Sequence, residues 1–569
     1  MKRLLMTMMA VMTLTMAKAQ VQPMVLGDNH AMVRVTKDAK YLLLPVQESE
    51  ENANIAVLDE RNELVKRLNV RLAVNKVDYY VPLELKRGYK LMDITFHGDR
   101  RQTGAVKDFV CWKEIKYSDT FDTTNRERFR PVYHHTPLYG WMNDPNGMFY
   151  NDGVWHLYYQ YNPYGSQWEN MTWGHSTSLD LVHWEAQPLA IESDWLGTIF
   201  SGSCVTITQS AQSGLSTQSG DVVAIYTSAG HHQTQSIAIS KDNGQTFTKY
   251  EGNPVLTSDV PDFRDPNPFW NEDIKAWNMI LAVGQEMRIY SSKDLKEWKE
   301  ESRFGLGYGN HDGVWECPDL FEIRNEKLGM RNWVLLCNIN PGGPFGGSAT
   351  QYFVGQFDGH KFTCESKPEV TKWMDYGKDH YATVSFYNAP DNRRTVLAWM
   401  SNWQYANQVP TQQFRSANSI PRDLGLFTYN GETYVSVVPS KEMLVVRGAK
   451  VKQPTEACEI VIDVKKQAEI VLSNAKGEQV TMTYDGQKQT FTMDRTKSGD
   501  VSFSPDFACV TEAPIYGTVK QLRLFIDRCS IEAFDAEGKM AMTNLVFPSE
   551  PYNNIKVKGG KVNIYEIKY

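Results

Sequence analysis

The sequence predicts an all-β protein: a five-bladed β-propeller followed by a C-terminal β-sandwich, with an additional β-domain at the N-terminus. Three observations carry this. Aromatic residues reach 12%, with 15 Trp and 28 Tyr, which suits strands and aromatic-lined surfaces. Fourteen of those Trp fall between residues 141 and 403, so the chain divides into a Trp-rich middle and two flanks of different character. A turn motif recurs within that middle part. Ser178-Leu179-Asp180-Leu181-Val182-His183-Trp184 matches Ser292-Lys293-Asp294-Leu295-Lys296-Glu297-Trp298. A longer copy runs from Ser240 to Phe247, and a degenerate one from Asp358 to Phe362. Their aspartates, at 180, 242, 294 and 358, lie 62, 52 and 64 residues apart. Polar turns closed by an aromatic at such a period read as the hairpins of successive blades.

The elements follow in chain order. Residues 1–19 read as a signal peptide: Lys2 and Arg3, an apolar run Leu4–Met16, then Ala17-Lys18-Ala19, with cleavage before Gln20. The apolar run is too short to span a bilayer, which needs about 20 residues, and no later run qualifies. The protein is therefore expected to be secreted, periplasmic or at the cell surface. Residues 20–118 contain alternating runs such as Asn54–Leu58 and Tyr89–Ile94 and read as an accessory β-domain. Residues 119–435 form the expected propeller. Residues 436–569 hold no Trp and alternate again, as in Glu459–Val464 and Gln521–Ile526, which suggests the sandwich.

Composition narrows the function classes. Apolar residues make up 41% of the chain and charged ones 22%, which permits large cores and excludes a disordered protein. The net charge is −7, and about −10 without Lys2, Arg3 and Lys18, so a nucleic-acid partner is not expected. The eight cysteines include no CxxC pair, which argues against a zinc or redox motif. His134-His135 and His231-His232 lack metal-ligand partners at helical spacing and read as loop or surface residues. Asn170-Met171-Thr172 reads as a chance sequon.

Three acidic motifs punctuate the propeller: Trp141-Met142-Asn143-Asp144-Pro145-Asn146-Gly147, Phe263-Arg264-Asp265-Pro266 and Trp315-Glu316-Cys317-Pro318-Asp319. The innermost strand of each blade lines the propeller axis, so acids on different inner strands can meet at one end of the funnel. Clustered carboxyls push one another's pKa values apart. One can then protonate a leaving oxygen while another attacks or steadies positive charge.

The runs WMNDPNG (141–147), YYQYNP (158–163), FSGS (200–203), FRDP (263–266) and WECPDLF (315–321) together resemble glycoside hydrolase family 32. Its members are β-fructosidases: levanases, inulinases, invertases and fructan exohydrolases. Asp494-Arg495 and the run Asp527–Phe534 resemble that family's sandwich domain, whereas the N-terminal hundred residues fall outside its core. The resemblance implies a retaining mechanism with Asp144 as nucleophile, Glu316 as general acid/base and Asp265 as transition-state stabiliser. It implies substrate contacts from Asn143, Gln160, Trp168, Ser201 and Arg264, with Trp399 or Trp403 as further walls. It implies a fructan or sucrose substrate, exo-action with release of fructose, and neither metal nor organic cofactor. The carboxyl pair of a retaining enzyme stands about 5–5.5 Å apart, a raised pKa is expected at the general acid and a low one at the nucleophile, and activity follows a bell with a mildly acidic optimum. An endo-acting levanase or inulinase, a fructosyltransferase and a non-catalytic fructan-binding protein share the scaffold. The turn at Ser240–Phe247 also fits the Asp-box of sialidases, and five-bladed inverting arabinan hydrolases share an acidic funnel, but the three ordered motifs favour the β-fructosidases.

Overall fold

The computed structural model describes residues 21–36, 39–97, 105–124, 126–216, 218–325 and 329–569, with the side chain of residue 325 left out. The signal peptide expected over 1–19 lies outside the described residues. The chain divides into two compact units, 1–122 and 123–569.

The first unit carries a five-stranded sheet in the order Pro23–Val25, His30–Arg34, Leu91–Thr95, Ala53–Leu58, Leu64–Val70. A second sheet is ordered Tyr79–Glu84, Tyr41–Val46, Lys116–Ser118. Both runs that alternate in sequence alternate in burial: Ile55 and Val57 point inward from one strand, Met92 and Ile94 from its neighbour. This period-2 alternation is what a half-buried strand requires.

In the second unit, five sheets, each built on four antiparallel strands, form the propeller blades. Their innermost strands are Gly140–Asn151, Thr198–Thr206, Phe263–Asn271, Val314–Asn325 and Tyr381–Ser385. In blades 1 to 4 the recurring turn joins the third strand to the fourth. Asp180 Oδ1 accepts the N–H groups of Val182 and His183, and Asp294 Oδ1 those of Lys296 and Glu297. Asp242 Oδ1 accepts from Thr246, and Asp358 Oδ1 from His360 and Lys361. The closing indoles of Trp184 and Trp298 donate back to the carbonyls of Leu181 and Leu295, each a leucine held at φ 65°. Blade 5 turns through Asn430-Gly431 instead. The ring closes where Phe414–Arg415, reaching back from blade 5, pairs in parallel with Gly140–Trp141 of blade 1.

The sandwich grows from one long strand, Cys458–Ser473. Its first half pairs with Gln521–Asp527 and its second with Gln479–Asp485, while Asn554–Ile567 runs along its other edge. Ile460, Ile462, Ile470, Leu472, Met482, Met493, Leu524, Ile531 and Met542 fill the core between the layers. All eight cysteines are free thiols.

A buried polar seam joins blade 5 and the stretch before blade 1 to the sandwich. His134 bonds Asp527 at 2.8 Å and Glu532 at 2.7 Å, and Arg422 bridges Asp375 and Glu532. His134 and His135 lie in a loop, as expected, but not at the surface. Both are buried, His134 between two carboxylates and His135 against Ser176 and Asn418. A buried imidazole between two carboxylates is stable because each ring nitrogen finds an acceptor. His231 and His232 are exposed.

Candidate active site

Every inner strand carries an extra residue relative to its partner at the same place in all five blades, and the blade 1 strand has a second one between Asn146 and Phe149. The ladder shifts between Met142 and Pro145, Ile199 and Gly202, Arg264 and Asn267, Glu316 and Asp319, and Tyr381 and Val384. A bulge of this kind bends a strand and re-aims a side chain. The first bulge residue is left-handed in blades 3, 4 and 5: Asp265 at φ 65°, Cys317 at 41° and Ala382 at 53°. Such backbone costs about 1–3 kcal/mol per non-glycine residue, and it persists at sites whose surroundings over-determine it.

The bulges bring the acidic motifs together. Asp144 is held by three donors: Ser201 Oγ reaches its Oδ2 at 2.7 Å, Asn143 Nδ2 its Oδ1 at 3.0 Å, and Cys317 Sγ its Oδ2 at 3.4 Å. Asp265 accepts the backbone N–H of Cys317 at 2.8 Å, and its own N–H donates to Thr227 Oγ1. Glu316 receives Arg264 on Oε1 and the phenol of Tyr381 on Oε2. Blades 1, 2, 3, 4 and 5 thus each place a residue in one cluster. Glycines make room for the tight packing behind it. A Cβ on Gly147 would stand 2.8 Å from Trp173 and Tyr158, and one on Gly202 would stand 2.2 Å from the Ile225 carbonyl.

Electrostatics follow from this crowding. Burial, then the charge of Glu316, raises the pKa of Asp144 despite its three donors. The low value expected for a nucleophile is therefore corrected: desolvation and a neighbouring carboxylate outweigh the hydrogen bonds. Asp265 is pushed up to about 7 by burial, with Glu316 and Asp144 adding to the effect and Arg264 opposing it. Burial works against the Arg264 cation, but Glu316, Asp265 and Asp262 together hold it charged.

The family comparisons agree with this geometry. The Glycosyl hydrolases family 32 N-terminal domain matches residues 134–437, and the family's C-terminal domain matches residues 432–569. The chain belongs to glycosyl hydrolase family 32. Residues 27–133 match a domain of unknown function, DUF4980. A levanase from Bacillus subtilis is 44% identical over 76% of this chain and 68% of its own length. An extracellular exo-inulinase from Aspergillus niger is 37% identical over 74% of this chain and 90% of its own. Among solved structures, an exo-inulinase from Aspergillus awamori superposes with a TM-score of 0.73 at 32% identity, covering 79% of this chain and 99% of that one.

Within this family 32 scaffold the expected site residues divide into two groups. Asn143, Asp144, Ser201, Arg264, Asp265 and Glu316 meet in the cluster. Asn143 is buried, with its Oδ1 accepting from the Trp141 indole at 2.8 Å. Gln160 sits one strand outward, buried, with its amide donating to Asn146 Oδ1 at 2.9 Å. Trp168 is 40% exposed and stands edge-on to Phe200, beside Ser201. Trp399 is fully buried and packs on Trp141 and Trp403, so it is a core residue and not a wall. Arg264 donates to Glu316, Asp262 and Gln233. Asp319, the last acid of its motif, is structural: it accepts the N–H of Ser385 at 2.7 Å and ties blade 4 to blade 5. Tyr381 was not foreseen. Its sequence lacks an acidic motif, and only the bulge register shows it to be the blade 5 counterpart of Arg264 and Glu316.

Proposed function

We propose that this chain is a secreted, retaining β-fructosidase that releases fructose from the ends of fructans and from sucrose. Asp144 attacks C2 of the terminal fructosyl unit. Glu316 gives its proton to the departing glycosidic oxygen, so the leaving sugar departs as a neutral alcohol. Glu316, now a carboxylate, takes a proton from water as the water oxygen attacks C2. The bond to Asp144 breaks, fructose leaves, and Glu316 is protonated again. Asp265 steadies the positive charge that spreads over C2 and the ring oxygen in both transition states.

The single observation that carries this reading is the convergence of three carboxyls from blades 1, 3 and 4 in one buried cluster. Ser201 holds Asp144, the Cys317 N–H holds Asp265, and Arg264 and Tyr381 orient Glu316. Carboxyls crowded in this way are pushed apart in pKa, so they can take different roles. Exo-action is supported by the extracellular exo-inulinases among the relatives, and secretion by those relatives together with the N-terminal leader. Asn143, Ser201, Gln160 and Trp168 are assigned to the bound fructosyl unit, the first two through their hold on Asp144.

Product analysis tests the proposal. The mature protein is incubated separately with levan, inulin and sucrose, and the sugars are resolved over time. Free fructose alone in the first minutes is the expected result, and the relative rates rank the linkages. Early oligosaccharides overturn exo-action, and no product from any of the three overturns the β-fructosidase reading.

A further inference from the structure

The C-terminal sandwich reaches the acid/base through one short segment of chain. Residues 375–379 lie along the sandwich strand Ala541–Leu545. Tyr376 N donates to Ala541 O at 2.9 Å, Asp379 N to Thr543 O at 3.1 Å and Thr543 N to Asp375 Oδ1 at 2.8 Å. Lys378 N donates to Asn544 Oδ1 at 2.9 Å. The approach is so close that a Cβ on Gly377 would stand 1.9 Å from Thr543 O, so only glycine fits there. Asp379 ends this zipper in a fully buried cluster. Its carboxylate accepts Leu545 N at 2.8 Å, the Tyr405 hydroxyl at 2.5 Å and the Arg495 guanidinium. Arg495 in turn donates to Tyr405 Oη at 2.9 Å, Leu545 O at 3.0 Å and Phe507 O at 2.8 Å.

Two residues beyond Asp379, Tyr381 begins the blade 5 inner strand and donates to Glu316 Oε2. A peptide two residues from a fixed anchor has little freedom to translate. Buried charge-assisted bonds are the strongest anchors available to it. We propose that Arg495 is a positioning residue for the acid/base: through Asp379 it fixes the segment that holds Tyr381 against Glu316. The sandwich is then part of the proton-transfer apparatus as well as a support for the propeller. This inference rests on the assignment of Glu316 as general acid.

The test compares leaving groups. Sucrose needs a proton from Glu316 to depart, whereas fluoride leaves β-fructofuranosyl fluoride as an anion and needs none. Both need Asp144 and Asp265. Two variants are measured by kcat/KM on each compound: Arg495→Lys, and Tyr405→Phe, which deletes one hydroxyl and leaves the ring in place. If the buried lysine prevents folding, Tyr405→Phe alone carries the test. General acid catalysis is worth roughly 10²–10⁴-fold, so partial misplacement is expected to cost roughly tenfold on sucrose and under about threefold on the fluoride. Tyr381→Phe should show the same selective loss. Parallel losses on the two compounds, or no loss on either, overturn the proposal. A wild-type protein that releases fructose from neither removes the β-fructosidase reading and this inference with it.

Discussion

Arg264 donates twice to one oxygen of Glu316, through Nη2 at 2.8 Å and Nε at 3.3 Å, and leaves the other oxygen to Tyr381. The two donors come from the inner strands on either side of Glu316, blade 3 and blade 5. Both oxygens of Glu316 therefore accept, Oε1 from the guanidinium and Oε2 from the phenol. Arg264 is itself fixed by Asp262 at 2.6 Å and Gln233 at 3.2 Å. The carboxyl is thus oriented for proton transfer before a substrate arrives, which is how a fixed polar environment lowers a barrier without reorganising.

Removing the cation should disable this orientation. Arg264→Leu is expected to fold, and to lose kcat/KM on sucrose by roughly 10–100-fold. That corresponds to the 1.5–3 kcal/mol of a hydrogen bond to a charged group. Circular dichroism checks the fold and initial rates check the loss. A variant within twofold of wild type would detach Arg264 from the acid/base.

The two anionic carboxyls should separate by kinetic signature. Asp144→Ala removes the nucleophile and is expected to abolish turnover on every substrate, the fluoride included. Asp265→Asn keeps the side-chain shape and removes a charge that matters most when C2 is positive, so kcat should fall far more than KM rises. An Asp265→Asn enzyme with normal kcat and raised KM would reassign that residue to ground-state binding.

The pH profile follows from the same cluster. Burial raises both Asp144 and Asp265, the latter to about 7, and Glu316 adds to each shift, so Asp265 takes up a proton near neutrality. The proposed working state carries one proton among the three coupled carboxyls. Activity is lost at low pH as a second proton enters, and at high pH as the first one leaves, giving a bell in kcat/KM. Glu316→Gln removes the charge that pushes Asp265 up. Its residual activity on β-fructofuranosyl fluoride should therefore hold to lower pH than wild type. An acid limb unmoved by this substitution would contradict the coupling.

Much of this architecture is legible in the sequence. The four turn copies mark their hairpins because the Ser and Asp side chains must replace backbone partners in the turn, and that chemistry leaves a readable pattern. WMNDPNG, FRDP and WECPD stand out for a similar reason, since a bulge next to a buried carboxylate constrains its neighbours. Tyr381 and Asp379 do not stand out. Each is defined by where the blade 5 strand and the sandwich strand 541–545 come to lie, and no local pattern records that. The buried place of His134 was hidden for the same reason. Its partners, Asp527 and Glu532, are nearly 400 residues away in sequence.

Trp168 is a half-open aromatic that stands edge-on to Phe200, the residue before Ser201. Trp168→Ala should weaken binding more than chemistry, raising KM for sucrose and fructans alike. An aromatic face against a sugar contributes on the order of 1 kcal/mol, so the expected change is several-fold. Stability should hardly move, because the ring is not part of the core. A fall in kcat with unchanged KM would show that Trp168 acts on the transition state instead.

His134 should make the stability of the unit 123–569 depend on pH. Burial works against its charge, but Asp527 and Glu532 overcome that and raise its pKa to about 9, from an ordinary 6.5. A raised pKa in the folded state means the folded protein holds a proton that the unfolded chain gives up. The stabilisation is therefore complete below pH 6.5 and drains away as pH rises through about 9. The full effect is on the order of 3 kcal/mol. Glu532 is held below its usual value, burial notwithstanding, by Arg422 and His134, so its contribution is lost at the opposite end, as pH falls below the carboxylate range. Thermal unfolding from pH 5 to 10 should show a midpoint that declines across 6.5 to 9. His134→Gln should start lower at pH 6.5 and lack that decline, because glutamine binds no proton over this range. A wild-type midpoint that stays level to pH 10 would mean that His134 is neutral in its buried site, with one carboxylate carrying the proton in its place.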